Sequence, residues 1–230
     1  MKIPVNAVVF DLEGTLIDTN DLHQQAWCEE IAKAPASTAV TWRHIDHLLR
    51  QGMLVALVFR YHFPHLPHDR DLVLAWVQLM AVKYHDYTRP IAGVTRLLDA
   101  LNHHHIPWAV VCDAPQYIAQ MWLSKVYGRP LHAPVLILEE RLRQLPPLPE
   151  AHLLAIDELA VDGPVVAFEL DMLGTWAGVL AGCEVIAVKL DRWVVDLRQA
   201  GATCSVPDYD GVDVVPLAQG YDIEIVKAVI

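Results

Sequence analysis

The chain reads as an α/β protein: a Rossmann-like (Rossmannoid) parallel-sheet core with a small α-helical domain inserted after strand 1. Two patterns carry that expectation. From residue 90 onward, short apolar runs alternate with helical stretches, the signature of βαβ units with right-handed crossovers. Between residues 18 and 88 only helical periodicity appears, so that stretch is set apart as an insert. The expected division is a core of residues 1–17 and 89–230 and a helical domain of residues 18–88.

The first strand is the apolar run from Val5 to Asp11, closed by the turn at Gly14. Asp18 to Ala32 follows as a helix with Leu22, Ala26, Trp27 and Ile31 on one side, capped by Thr19 or Asn20, and Pro35 ends it. Thr41 opens a second helix to Arg50, and Gln51-Gly52 is a turn. Met53 to Phe63 is the third helix, and Asp69 caps a fourth that runs to about His85. In the core, helices are expected from Val94 to His103, Tyr117 to Tyr127, Pro149 to Leu159, Gly174 to Ala181 and Arg192 to Ala200. The strands between them are Ile106–Cys112, Val135–Leu138, Val165–Glu169 and Val185–Val188. Short strand-like or irregular pieces close the chain.

Composition narrows the function classes. Of 230 residues, 54% are hydrophobic and only 20% charged, enough for a large buried core. A net charge of −11 argues against a nucleic-acid binder and against docking on an anionic membrane. The apolar stretch from Leu170 to Val188 contains Asp171, Glu184 and several glycines, so it reads as a helix and a buried strand rather than a membrane span. Lys2 is not followed by a long apolar segment and cleavage site, so no secretory signal is expected. Cys28, Cys112, Cys183 and Cys204 are scattered, with no C-x-x-C pair, which suits a reducing compartment. A cytoplasmic protein is the expectation.

Asp11 and Glu13 are two carboxylates one residue apart on the turn after the first strand, where open α/β sheets place their chemistry. Such a pair holds a divalent cation, divides nucleophile and acid/base roles, or is simply a solvated strand end. The segment Phe10-Asp11-Leu12-Glu13-Gly14-Thr15-Leu16 resembles the Asp-x-Asp-x-Thr motif of the haloacid dehalogenase (HAD) superfamily. Leu22-His23 and Ala26-Trp27 extend the resemblance to its helical-cap members, the β-phosphoglucomutases and phosphoglycolate phosphatases. The resemblance implies a HAD core, with residues 18–88 as its cap. It further implies Asp11 as nucleophile and Mg²⁺ ligand, Glu13 as acid/base and second metal residue, Thr15 in support, and His23 as the cap-hinge residue that orients the acid/base. Gly52 falls at the cap's substrate-facing turn, with Arg50 close by.

Elsewhere the chain departs from that pattern. Cys112 stands at the Ser or Thr that donates to the phosphoryl group; a thiol is the weaker donor, and Asp113 beside it adds negative charge to the substrate site. Pro146 stands at the lysine that neutralises phosphate and nucleophile. Arg141 and Arg143 lie just upstream, as substitutes for it or as surface charges. Leu170 stands at the aspartate that binds metal, flanked by Glu169 and Asp171 as alternative ligands. The triple His103-His104-His105 and the pairing of His62 with His65 and His68 carry no zinc-site spacing.

The expected function is a Mg²⁺-dependent phosphohydrolase of a small phosphorylated metabolite that works through an aspartyl-phosphate; a phosphomutase is a variant of it. The competing expectation is a catalytically impaired relative that keeps fold and pocket as a binding or regulatory module. Neither substrate identity nor oligomeric state can be read from the sequence.

Overall fold

In a computed structural model the described residues are 1–34, 40–64, 70–127, 135–144, 146–188 and 197–226. They form two compact units, residues 1–18 with 89–230, and residues 19–88.

The first unit begins with β1 (Lys2–Val5), β2 (Ala7–Asp11) and the two-residue β3 (Ile17–Asp18). In the second unit α1 (Asn20–Lys33), α2 (Trp42–Arg50), α3 (Val55–His62) and α4 (Arg70–Lys83) follow. The Thr41 hydroxyl caps α2 by accepting from His44 N at 3.3 Å. Thr19 is the N-cap of α1, without a side-chain bond. Trp27, Ile45, Phe59 and Phe63 pack as this unit's own core, with Trp27 edge-on to Phe59 at 5.2 Å. The expected Asp69 cap and the Pro35 break lie outside the described residues.

Back in the first unit, β4 (Arg89–Pro90) pairs with β3, and α5 (Val94–His103), β5 (Trp108–Val111), α6 (Gln116–Tyr127) and β6 (Val135–Ile137) follow. After α7 (Glu150–Leu159) come β7 (Val165–Glu169), α8 (Met172–Leu180), β8 (Glu184–Val188) and β9 (Cys204–Val206). Six strands form one parallel sheet in the order β6-β5-β2-β7-β8-β9. Chain order reverses beside β2, so the crevice past its carboxyl end is the switch point where doubly wound sheets bind ligands.

Three features differ from the sequence expectation. The opening segment is two strands, because Asn6 interrupts it and its side chain donates to Asp162 O at 2.7 Å. The tail, expected as short strand-like or irregular pieces, yields β9 and then β10 (Val212–Pro216) and β11 (Tyr221–Ile225), and β11 pairs antiparallel with both β10 and β1. Of the helix expected from Arg192 to Ala200, the described part is a 3-10 turn, Leu197–Ala200.

The sheet's two faces are distinct. Ala7, Val9, Ala109, Val111, Val165 and Ala167 pack under Ala151 and Ala155 of α7. On the opposite face Phe10 stacks on Phe168 at 5.2 Å, and Tyr209 leans on both. Because side chains alternate along a strand, Asp11 follows Ala7 and Val9, and Glu169 follows Val165 and Ala167. The register Phe10↔Phe168 then sets Asp11 beside Glu169, on the α7 face.

Candidate active site at the carboxyl end of the sheet

β2 delivers Asp11 to the crevice, and the chain turns at once. Gly14 N donates to Ile17 O at 2.7 Å, while Leu16 N and Ile17 N both donate to Leu12 O. The turn brings Thr15 Oγ1 back to donate to Asp11 Oδ2 at 2.8 Å. From 194 residues away, the buried Tyr209 hydroxyl donates to the Thr15 carbonyl at 2.9 Å and fixes the turn from behind. Gly14 has φ +75, so the backbone angle demands glycine, and a Cβ there would lie 2.3 Å from Leu170 Cδ2 and push that side chain aside. The leucine that replaces the expected metal-binding aspartate therefore lays its side chain on the turn that carries Glu13.

The site is strongly acidic. Burial, and next to it the Glu169 carboxylate, hold the Asp11 carboxyl well above the usual range, with the Thr15 hydrogen bond opposing them. Glu169 is raised well above its ordinary value by burial and by Asp171 and Asp113. Asp113 is open to solvent at its surface, yet desolvation by the surrounding protein, with Glu13 and Asp171, pushes it up to about 6. Cys112 is buried, its Sγ accepts from Ala114 N at 3.4 Å, and burial with Asp113 and Asp11 pushes its thiol well up. It is a neutral thiol, poorly suited to act as a nucleophile.

Glu169 and Asp171 point to different tasks. Asp171 caps α8, its Oδ1 accepting from Gly174 N at 2.8 Å. Glu169 Oε1 and His152 Nε2 share a hydrogen bond of 2.7 Å, both side chains being buried. Burial lowers His152 to about 4, so at neutral pH this contact is a hydrogen bond from a neutral imidazole rather than an ion pair. Glu150, the first residue of α7, accepts from Arg143 N and Gln144 N at 2.7 and 2.6 Å. Arg141 is engaged by Glu158 and the Leu136 carbonyl, and its guanidinium is a surface charge.

The remaining expected residues belong to the second unit. His23 sits in the first turn of α1 with its N–H bonded to Thr19 O, and Gly52 turns the chain after α2 with φ 83. The Arg50 side chain lies outside the described residues.

No group of three or more His, Cys, Asp or Glu side chains among the described residues is arranged to hold a metal ion. The donors nevertheless suit a hard divalent cation. They are oxygens, and burial and mutual repulsion raise the Asp11, Asp113 and Glu169 carboxyls, a repulsion that a cation relieves. Asp11 and the Glu13 backbone carbonyl, with water and a phosphate oxygen, match the open manner in which small hard cations are usually held. Sequence reasoning missed Tyr209 and His152. Tyr209 carries no local signal, whereas a histidine inside the apolar run Ala151–Ile156 was a visible oddity.

Comparison with known proteins identifies the family. The family model for haloacid dehalogenase-like hydrolases matches residues 5–169. The chain is 28% identical to hexitol phosphatase A of Escherichia coli over 191 residues, 79% of this chain and 82% of that one. It is 26% identical to 2-deoxyglucose-6-phosphate phosphatase 2 of Saccharomyces cerevisiae, covering 93% of this chain and 92% of that one. Among solved structures, a hydrolase from Pseudomonas syringae superposes with a TM-score of 0.71 at 16% identity, over 88% of this chain and 94% of that one.

Proposed function

The chain belongs to the haloacid dehalogenase-like hydrolases, and from that premise we propose that it is a Mg²⁺-dependent phosphohydrolase of a small phosphorylated sugar or polyol. The observation that carries the reading is Asp11 at the switch point, its Oδ2 held by Thr15 while its other oxygen is left for attack. The relatives named above for hexitol and for 2-deoxyglucose 6-phosphate support the substrate class.

In the proposed mechanism an Asp11 carboxylate oxygen attacks phosphorus in line, and the bond to the leaving oxygen breaks as the new one forms. Glu13 gives its proton to that leaving oxygen. Glu13 then takes a proton from water, whose oxygen attacks the aspartyl-phosphate and releases inorganic phosphate and free Asp11. Thr15 keeps the Asp11 carboxyl in one rotamer throughout. Mg²⁺, held by Asp11 and the Glu13 carbonyl, would supply the charge neutralisation that Pro146 does not. Four free thiols, three of them buried, support a cytoplasmic setting. No helix among the described residues is long and apolar enough to cross a membrane.

A second reading, a binding module without turnover, is favoured by Leu170 over the Gly14 turn. One assay separates the two: turnover of an aryl phosphate with Mg²⁺, beside Asp11→Asn. The phosphatase reading expects a loss of about a hundredfold or more in the variant. Equal rates would sink it.

A further inference from the structure

The proposed reaction leaves one buried pair unused, His152 of α7 and Glu169 at the end of β7. Their side chains are 3% and 4% exposed, and Nε2 donates to Oε1 at 2.7 Å. α8 provides the slot. A Cβ at Gly174 would lie 2.0 Å from Glu169 Oε2, and one at Gly178 would lie 3.6 Å from His152 Nε2. Glycine at 174 thus makes room for the carboxyl, whereas the tight contact of a Cβ at 178 would be with Val185 Cγ2, at 2.9 Å. His152 Nδ1 has no hydrogen-bond partner among the described residues, so the proton that the ring carries when neutral belongs on Nε2, where it meets an acceptor.

Glu169 stands beside Asp11, close enough for its charge to act on it, yet its carboxyl is clamped between α7 and α8. To ligate a cation at Asp11 it would have to abandon a buried N–H, which then has no partner. We propose that His152 is a positioning residue that withholds Glu169 from the cation at Asp11, so that the protein itself sets this site's cation affinity low. This rests on the reading of the Asp11 crevice as the cation-holding phosphatase site. With Leu170 supplying no ligand and Glu169 withheld, Asp11 and the Glu13 carbonyl are left to hold the ion together with substrate phosphate. Affinity for hard cations follows the number of charged ligands, so releasing Glu169 raises it.

The test is titration calorimetry of the full chain with Mg²⁺, repeated with Mn²⁺ by paramagnetic resonance, neither of which needs turnover. Glu169→Gln keeps an acceptor for His152 and is expected to leave cation affinity within about twofold of the parent. His152→Leu frees the carboxylate and is expected to tighten binding about tenfold or more, the scale on which hydrogen-bond partners of metal ligands change metal affinity. His152→Gln, which retains an N–H, is expected to restore the parent value. Adding Glu169→Gln to His152→Leu is expected to abolish the gain. Gly174→Ala displaces the same carboxyl from the other side and is expected to tighten binding if His152→Leu does not fold. A tenfold weakening in Glu169→Gln alone overturns the inference. So does unchanged affinity in a folded His152→Leu or Gly174→Ala, or a gain that survives in the double variant. Loss of aryl-phosphate turnover in Asp11→Asn reports separately on the phosphatase reading, so each can fail without the other.

Discussion

Tyr209→Phe isolates the hydroxyl that holds the catalytic turn. The ring stays, and with it the contacts to Phe168 at 5.3 Å and Phe10 at 6.3 Å, so the core is not cavitated. What is lost is the 2.9 Å bond to the Thr15 carbonyl, in a residue with no solvent exposure. The hydrogen bond itself contributes about 1 kcal/mol, and a buried carbonyl left unpaired costs about 1–3 kcal/mol. For a chain of this size each kcal/mol lowers Tm by about 2–4 °C, so a fall of roughly 3–8 °C is expected by calorimetry. Thr15 in turn holds Asp11, and small misplacements of a reacting group are costly, so kcat for an aryl phosphate is expected to fall about tenfold. A Tm and a kcat both unchanged in Tyr209→Phe would show that the long-range bond neither stabilises the turn nor positions Asp11.

Three further outcomes are expected. Gly14→Ala forces a left-handed backbone and a clash with Leu170, costing about 2–3 kcal/mol by denaturant unfolding. In a Leu170→Ala background only the backbone cost remains, so a double-mutant cycle showing no coupling would refute the contact. Asp113 lies at about 6, above the usual carboxylate value, so it is neutral below that pH and repels substrate phosphate above it. Apparent KM is therefore expected to climb through pH 6 more steeply in the parent than in Asp113→Asn, and the substrate's own ionisation cancels in the difference. The same sign makes Asp113→Asn the more stable protein above pH 6, with the gain gone below pH 4; a parallel pair of profiles would contradict it. Cys112→Ser restores the hydroxyl donor, and kcat is expected to rise about tenfold, a rise whose absence would remove residue 112 from the phosphoryl site.

The parts of this protein that local pattern encodes were legible in its residues. Period-2 and apolar runs marked β2, β5, β7 and β8, and Thr41 announced the start of α2, because strand burial and capping depend on a few neighbouring side chains. The spacing of Asp11, Glu13 and Thr15 was likewise local, and the structure closes Thr15 onto Asp11 within one turn. β1 was missed, and β11 was legible only as one of several short strand-like or irregular pieces, for the opposite reason. They are short, and what holds them is antiparallel pairing between the two ends of the chain, which no window of residues contains.

What surrounds Asp11 was decided in three dimensions. The substitutions at Cys112, Pro146 and Leu170 were visible as departures, but whether they empty the site or refill it depends on which side chains the sheet brings together. The structure lays Leu170 against Gly14, turns Glu169 to His152 and sets Asp171 to capping α8. Tyr209 reaches Thr15 across 194 residues of sequence. Sequence alone determined the parallel α/β core and the acidic turn at its centre, because alternation and spacing are properties of consecutive residues. Only the tertiary structure decided the charge state and the freedom of those acids, because burial and repulsion come from residues that meet only when the chain is folded.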